Sequence, residues 1–329
     1  MAKKKNEKAA PSSCGTQDKA PDADAQYEAF KRKNEEAKAL QRIFGRIKHT
    51  IVVMSGKGGV GKSTVATNLA AAYAAHGKKV GILDADITGP DIPKMLGLEG
   101  QKAKVSETAE PKGEVLAPLV GPSGIKVMSS SFLLQSSDQA VVWRGPMKMG
   151  LIKEFFMHVD WGELDYLIID LPPGTSDEPL TIAQFVKDPT GVVIVTTPQE
   201  VSLLDISKAV TFARMLKMPI LGLIENMSGF TCPHCGKTAD IFKKGSAEGA
   251  AKKMGLNYLG SIPIDPQITE KGDAGSPFVS DKKGKDSPSV KAFKAIVEKI
   301  QKIIKNDLAT KTVDKCSCDS SDAGGCSDC

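Results

Sequence analysis

The sequence of 329 residues predicts an α/β fold, a mostly parallel twisted sheet with helices on both faces. Two observations predict it. Short apolar stretches alternate with amphipathic stretches after Gly45, and a glycine-rich loop lies between the first apolar stretch and the helix that follows it. Apolar strands separated by helices are typical of a parallel sheet that is covered on both faces. Ligands of such sheets bind at the carboxyl ends of the strands.

The predicted elements follow from these periodicities. A first helix is predicted over Gln26–Phe44, and residues 100–124 predict a small hairpin or loop excursion. The predicted strands are Ile51–Met54, Val80–Leu83, Ile125–Met128, Tyr166–Ile169, Val192–Val195, Leu221–Ile224 and Tyr258–Ile262. The predicted helices between and after them are Ser63–His76, Pro146–Val159, Asp177–Phe185, Leu203–Leu216, Ala247–Met254 and Ser289–Ile304.

Composition excludes several classes of protein. The formal net charge is +5, and the lysines are spread among acids, which does not match a nucleic-acid-binding surface. There is no apolar run long enough to cross a bilayer and no secretory signal after the basic start. We therefore predict a cytoplasmic protein with no nucleic-acid or membrane partner. We expect a disordered tail over 1–25, a nucleotide-binding and carrier domain over 26–306, and a flexible cysteine-rich tail over 307–329.

A phosphate-binding loop follows the strand Ile51–Met54. The segment Gly56–Ser63 fits the Walker A pattern G-x-x-x-x-G-K-[ST] in the required strand, loop and helix context. Its glycines let backbone N–H groups surround a β-phosphate, while Lys62 reaches the β- and γ-phosphates and the Ser63 hydroxyl ligates Mg²⁺. The predicted nucleotide contacts here are Gly56, Lys57, Gly58, Gly59, Val60, Gly61, Lys62, Ser63 and Thr64.

Two further predicted strands end in acidic residues at the same edge of the sheet. Asp84 and Asp86 follow Val80–Leu83, and carboxylates in such a place can also simply cap the next helix. Asp170 ends the apolar strand Tyr166–Ile169, which is the Walker B arrangement that holds the Mg²⁺ shell. The loop Leu171–Thr175 is suited to sensing a γ-phosphate.

The additional lysine of the loop, Lys57, gives the variant K-G-G-V-G-K-[ST]. This variant resembles the deviant Walker A ATPases, a group that includes septum-positioning, chromosome-partitioning and iron–sulfur carrier ATPases. The resemblance implies that Lys57 crosses a sandwich dimer to the phosphates bound by its partner. It also implies that Asp86 orients the attacking water and that Asp84 supports the Mg²⁺ shell. An exposed loop lysine with no such role is the alternative for Lys57.

The same resemblance implies a binding place for the base. Asn226 matches the asparagine that reads adenine in the related ATPases, and the segment Ile262–Asp265, with Pro263, would close over the ring. No guanine-reading N-K-x-D pattern lies nearby, which favours ATP over GTP. An asparagine that only caps a strand-to-loop turn is the alternative for Asn226.

The seven cysteines are unevenly distributed. Cys232 and Cys235 form a C-x-x-C loop that looks like one knuckle of a zinc ribbon, but no second knuckle follows in the predicted domain. Two thiolates leave a tetrahedral metal or a cubane cluster half-ligated. A symmetric dimer brings two identical pairs together and completes the site. Lys57 independently predicts the same homodimer.

These motifs together are similar to the Mrp family of iron–sulfur cluster carrier ATPases, over roughly residues 45–300. They are Gly56–Ser63, Asp84–Pro93, Asp170–Asp177, Asn226–Ser228 and Cys232–Cys235. The resemblance implies a slow ATPase whose homodimer binds a [4Fe–4S] cluster between the Cys232 and Cys235 pairs. It also implies transfer to apo iron–sulfur proteins in concert with a cluster assembly scaffold. The cytosolic scaffold members carry an N-terminal four-cysteine motif, whereas this sequence has only Cys14 there.

Two other functions and one further site stay open. A spatial-positioning or partitioning ATPase would share the loop, and a regulatory ATPase would hold zinc at the same cysteines. In the tail, Cys316, Cys318, Cys326 and Cys329 lie close enough in sequence to hold one metal or cluster. Cysteines without a ligand in a disordered tail are the alternative.

Overall fold

The computed structural model describes residues 23–108, 113–134, 145–174, 177–186, 188–199, 202–231, 235, 237–241, 245–280 and 287–316. The chain divides into two compact units, Met1–Ala39 and Leu40–Cys329, with the boundary inside the first helix, α1 (Ala23–Phe44). α1 overlaps the predicted tail over 1–25 at residues 23–25, where two alanines, strong helix formers, extend the helix. The rest of that tail lies outside the described residues.

The predicted sheet is confirmed as a mostly parallel one. Eight strands lie in the order β12-β9-β8-β1-β7-β2-β6-β5, and β5–β6 is the antiparallel pair of this sheet. Six of the strands have all or most of their residues buried, which explains their nearly continuous apolar sequence. The strands of this sheet are β1 (Ile47–Met54), β2 (Val80–Asp84), β5 (Leu119–Val120), β6 (Lys126–Ser129), β7 (Leu164–Asp170), β8 (Gly191–Thr196), β9 (Ile220–Glu225) and β12 (Tyr258–Ser261).

Two small hairpins leave the sheet. The strands β3 (Lys104–Thr108) and β4 (Gly113–Ala117) pair antiparallel and confirm the excursion predicted over 100–124. The strands β10 (Phe230–Thr231) and β11 (Thr238–Ala239) form the second pair, and the C-x-x-C sequence lies between them. We call residues 230–239 the cysteine hairpin.

The predicted helices are all present, and two short ones were missed. Helix α3 is a single turn, and α8 begins at an Asp-Pro pair in which Asp265 accepts a hydrogen bond from Gln267 N. The helices after α1 are α2 (Lys62–Ala75), α3 (Ile92–Met95), α4 (Gly145–His158), α5 (Asp177–Phe185), α6 (Ser202–Met215), α7 (Ser246–Met254), α8 (Pro266–Asp273) and α9 (Pro288–Cys316).

The C-terminal helix is longer than predicted. α9 continues past Asn306 to Cys316, because residues 307–316 contain neither glycine nor proline to end it. α9 therefore overlaps the first ten residues, 307–316, of the predicted tail over 307–329. Cys316 is the last residue of α9, and Cys318, Cys326 and Cys329 lie outside the described residues. Among the described helices, none has the length and apolarity to cross a bilayer.

Candidate nucleotide-binding site

The phosphate-binding loop connects the end of β1 to the start of α2, as predicted. Gly59 and Gly61 have φ values of 72° and 78°, a left-handed conformation that glycine adopts without strain. Gly61 also packs so closely on the Asn226 amide that a Cβ would overlap it, and Gly56 is equally close to the Asp205 backbone. Two of the loop glycines are thus required by close contacts within the chain. Gly58 and Gly59 are exposed, whereas Val60 is buried in the core.

The centre of the site is a buried ion pair. Lys62 Nζ lies 2.6 Å from Asp170 Oδ1, and the two side chains are 6% and 0% exposed. Burial raises the pKa of the Asp170 carboxyl, and the Lys62 ammonium opposes that rise. The loop after β7 returns to the phosphate-binding loop, since Gly174 N donates to Ser55 O at 3.1 Å. The Walker A lysine and the Walker B aspartate are therefore brought together as predicted.

The residues predicted to hold Mg²⁺ fit such an ion. Asp170 Oδ2 is buried and has no hydrogen-bond partner among the described residues, which leaves an anionic oxygen available. The Ser63 hydroxyl oxygen lies 3.3 Å from Lys62 Nζ, at the same place. Hard oxygen donors of this kind are the ligands that Mg²⁺ prefers. Thr64 follows on α2, and its carbonyl accepts a hydrogen bond from Asn68 Nδ2.

Asp84 and Asp86 lie next to this pair. Asp84 ends β2 in register with Asp170 on β7 and with Ser129 on β6. Its Oδ2 accepts from Ser129 Oγ at 3.3 Å, and its Oδ1 accepts from Asp86 N at 3.2 Å. Burial, and secondarily the negative charge of Asp170, raise the pKa of the Asp84 carboxyl well above its usual value. Burial also raises the pKa of Asp86, although Lys62 and the Gly89 N–H oppose the rise.

The raised pKa predicts that Asp84 reduces the stability of the metal-free protein at neutral pH. A carboxyl whose pKa is raised by folding favours the folded state only while it is protonated. For Asp84, this contribution to the free energy of unfolding is fully present below the ordinary pKa of 3.8 and is lost as the pH rises through the raised folded-state pKa. We expect Asp84→Asn to raise the melting temperature at pH 8 in EDTA, by roughly 2–4 °C for each kcal/mol regained. The gain should shrink at pH 4.

Thermal unfolding followed by circular dichroism measures this effect. The matched control is Asp240→Asn, the same change at an exposed position, and it should leave the melting temperature unchanged. A melting temperature of Asp84→Asn below that of the wild type at pH 8 would contradict the prediction.

Lys57 has a partner within its own chain. Its Nζ donates to Gln199 Oε1 at 3.0 Å, and Gln199 is exposed in the loop after β8. The side chain therefore lies at the surface of the carboxyl edge of the sheet, beside the phosphate-binding loop. The sequence did not identify Gln199, because 142 residues separate the two partners.

Asn226 and Pro263, the predicted adenine contacts, follow neighbouring strands. Asn226 follows β9, and its Nδ2 donates to Val60 O at 2.9 Å, so its amide contacts the phosphate-binding loop directly. Pro263 lies in the connection between β12 and α8, and Ile262 N donates to Glu225 O at 2.8 Å. The two predicted base contacts are thus carried by neighbouring strand ends.

Sequence reasoning missed two charged groups at this edge. Lys148 on α4 donates to Glu178 on α5 at 2.9 Å and to Thr88 at 3.3 Å, so it connects the loop after Asp86 to α5. Glu225 ends β9 and is fully buried. Glu225 could have been found from the sequence, because it is an acid at the end of an apolar strand. The contacts of Lys148 could not, because its partners are distant in sequence.

The cysteine hairpin begins five residues after β9 at the same edge. Cys235 is exposed and not in a disulfide, and Cys232 lies outside the described residues. Within the described part of the chain, no group of three or more His, Cys, Asp or Glu side chains is placed to hold a metal ion. Cys232 and Cys235 therefore remain cluster ligands predicted from the sequence.

Known proteins are similar to this chain in sequence. An iron–sulfur cluster carrier protein of Methanocaldococcus jannaschii is 52% identical over 261 residues, which cover 79% of this chain and 87% of that protein. The cytosolic Fe-S cluster assembly factor NUBP2 of Bos taurus is 45% identical, over 80% of this chain and 96% of its own.

A solved structure is similar as well. A nucleotide-binding protein of Archaeoglobus fulgidus in complex with ADP is 46% identical, with a TM-score of 0.64 over 73% of this chain and 91% of its own. A family model described as ParA, NUBPL iron-transfer P-loop NTPase, matches residues 46–301, which include the phosphate-binding loop, the three aspartates Asp84, Asp86 and Asp170, and the cysteine hairpin. The chain therefore belongs to the NUBPL-type iron-transfer P-loop NTPases.

Proposed function

We propose that the protein hydrolyses ATP slowly and carries a [4Fe–4S] cluster between the two subunits of a homodimer, from which it transfers the cluster to apo-proteins. One observation carries the proposal. The buried Lys62–Asp170 pair and the cysteine hairpin arise from strands of one sheet and lie at its carboxyl edge. This common edge supports nucleotide chemistry and cluster binding on one surface.

The phosphate chemistry follows from the charged groups of the loop. Lys62 would bind the β- and γ-phosphates, and Ser63 and Asp170 would hold Mg²⁺. The ion, when bound, supplies positive charge to the transferring phosphoryl group. Asp86, whose carboxyl is partly buried beside Lys62, would orient the attacking water, and Asp84 would support Asp86 and the metal shell.

The dimer supplies what one chain lacks. Lys57 would leave Gln199 and reach the phosphates bound by the partner subunit, which explains a slow turnover of the separate chain. Two hairpins would contribute four thiolates, the number that a [4Fe–4S] cluster requires. Because the same association completes both sites, ATP binding and cluster binding would favour each other.

The carrier function is favoured over the two alternatives. The relatives at 52% and 45% identity are both named for iron–sulfur clusters, and a positioning ATPase does not need a C-x-x-C hairpin. Zinc at the same thiolates would give a colourless protein.

We also propose that the protein is cytoplasmic. Its partners would be apo iron–sulfur proteins and an assembly scaffold. Its carrier domain would end within α9.

The test of the function is a transfer assay. The protein is reconstituted anaerobically, and we expect an apo-protein that requires a [4Fe–4S] cluster to gain activity when mixed with it. The matched control is Cys235→Ser, which should be loaded poorly and transfer nothing. Transfer by Cys235→Ser at the wild-type rate would contradict the proposed cluster site.

The tail cysteines form a second proposed site. Cys316 ends α9, so Cys318, Cys326 and Cys329 follow it within a short stretch whose closure around one metal costs little. We expect a chain that ends at Lys315 to bind less iron per dimer than the full chain, with about four iron atoms left in the core cluster. Unchanged iron content and unchanged transfer would leave the tail without a cluster.

A further inference from the structure

The base of the cysteine hairpin pairs with the segment predicted to cover the adenine. Ser228 N donates to Ile262 O at 2.9 Å, and Ile264 N donates to Gly229 O at 2.8 Å. Phe230, the first residue of the hairpin, forms a parallel bridge with Ile264. β9 and β12 are already paired, and these bonds continue the pairing beyond the ends of both strands. Pro263 lies between the two bonded residues Ile262 and Ile264. A movement of this segment is therefore passed to the first strand of the hairpin through main-chain hydrogen bonds.

One buried carboxylate holds both ends of the segment that contains the hairpin. Glu225 is 0% exposed and accepts a hydrogen bond from Ser228 Oγ before the hairpin. After the hairpin it accepts from Gly245 N at 3.2 Å and from Ala247 N at 2.8 Å, at the start of α7. Hydrogen bonds from N–H groups at a helix start to an ionised carboxylate are among the strong ones. We call Glu225 and these three donors the Glu225 anchor.

The residue after Glu225 contacts the phosphate-binding loop. Asn226 donates through Nδ2 to Val60 O, and its backbone N donates to Thr196 O at 2.7 Å on β8. Adjacent residues of one strand end therefore contact the nucleotide loop and the hairpin base. The path from the proposed base contacts to Phe230 is only a few residues long.

We propose that adenine binding at Asn226 and Pro263 is transmitted through the Glu225 anchor and stabilises the base of the cysteine hairpin, the pairing of segments 228–230 and 262–264, which makes Cys235 less reactive. The proposal rests on the adenine position given under Proposed function. A ligand favours the arrangement to which it binds more tightly, and here that arrangement includes the paired segments 228–230 and 262–264. Opening of the hairpin base would break these same bonds, so bound nucleotide should suppress it. Glu225 is in this scheme a positioning residue that touches neither nucleotide nor cluster.

The test compares ligands with and without the base. The full chain is purified reduced and free of metal, and alkylation of Cys235 is followed by mass spectrometry of the peptide that carries it. ADP with Mg²⁺ is the probe because it lacks the γ-phosphate that the partner's Lys57 would contact. We expect ADP to slow the alkylation about fivefold or more, the lower range of typical allosteric coupling. Pyrophosphate with Mg²⁺, which carries phosphates without adenine, should leave the rate unchanged.

Variants separate the anchor from nucleotide binding. In Glu225→Gln, an amide N–H group replaces a carboxylate oxygen that accepts hydrogen bonds, and it faces other donors. We expect ADP to bind this variant with the wild-type affinity, as measured by calorimetry. We also expect that ADP no longer slows the alkylation of Cys235. Ser228→Ala, a milder change in the same anchor, should reduce the protection. The matched control is Glu248→Gln, at an exposed acid in the first turn of α7, which should keep full protection.

The outcomes distinguish this proposal from the proposed function. If ADP binds and does not slow alkylation in the wild type, or if pyrophosphate protects equally well, the coupling is overturned and the nucleotide site stands. Full protection in both anchor variants would overturn the role of Glu225. Absence of ADP binding by calorimetry would overturn the nucleotide site itself, and the coupling with it.

Discussion

Lys62→Ala is expected to lower kcat for ATP hydrolysis by about 10²–10³-fold or more, the usual cost of removing one group that stabilises charge in a transition state. Lys62 is the buried cation of the phosphate-binding loop, and no other lysine or arginine side chain of the described residues forms an ion pair with Asp170. Release of phosphate at saturating ATP and Mg²⁺ measures the effect. Wild-type activity in a folded Lys62→Ala protein would contradict the assignment of the loop.

The same variant should also be less stable. Removal of Lys62 leaves the Asp170 carboxylate buried without the ammonium 2.6 Å away, and breaking a buried pair in this way costs about 3–5 kcal/mol. We expect the variant to remain folded at low temperature and to melt earlier. The double variant Lys62→Ala, Asp170→Asn is the matched control. It should recover much of the stability and none of the activity, which separates the catalytic loss from unfolding.

Much of the fold was predictable because parallel strands buried on both faces have an unmistakable apolar sequence. The start of β1 was missed because Lys48 and His49 interrupt that pattern while Ile47 and Thr50 are still buried. Helix α8 was missed because none of its residues is buried, so it has no apolar face to read. The end of α9 was misplaced because composition alone indicated a tail, although nothing in residues 307–316 breaks a helix.

The positions of the polar groups at the strand ends were predictable for a similar reason. An acid or amide at the end of an apolar strand lies at the ligand edge of the sheet, and this located Asp84, Asp170 and Asn226. The partners that hold these groups were not predictable. Asn226 is separated by 166 residues from Val60, and only the folded chain brings the two together. The sequence therefore predicted which polar groups lie at the ligand edge of the sheet, whereas their hydrogen-bond partners are known only from the structure.

The double variant Cys232→Ala, Cys235→Ala, in a chain that ends at Lys315, is expected to bind no iron after anaerobic reconstitution. The hairpin and the tail contain all the cysteines of the chain except Cys14. A [4Fe–4S] cluster requires four thiolates, which two hairpins supply in the dimer, so the chain ending at Lys315 with both hairpin cysteines should hold about four iron atoms per dimer. Iron analysis and the visible absorbance of the cluster measure the difference.

The controls identify both the ligands and the metal. Cys14→Ala in the same shortened chain should keep the full iron content, since a single cysteine outside the hairpin is not needed for four ligands from two chains. The double variant should still bind ADP with wild-type affinity, because neither cysteine is among the proposed nucleotide contacts. ADP binding would show that the variant is folded. Zinc in place of iron in the anaerobically purified wild type would favour the regulatory alternative. Cluster absorbance that persists in the double variant would rule out Cys232 and Cys235 as its ligands.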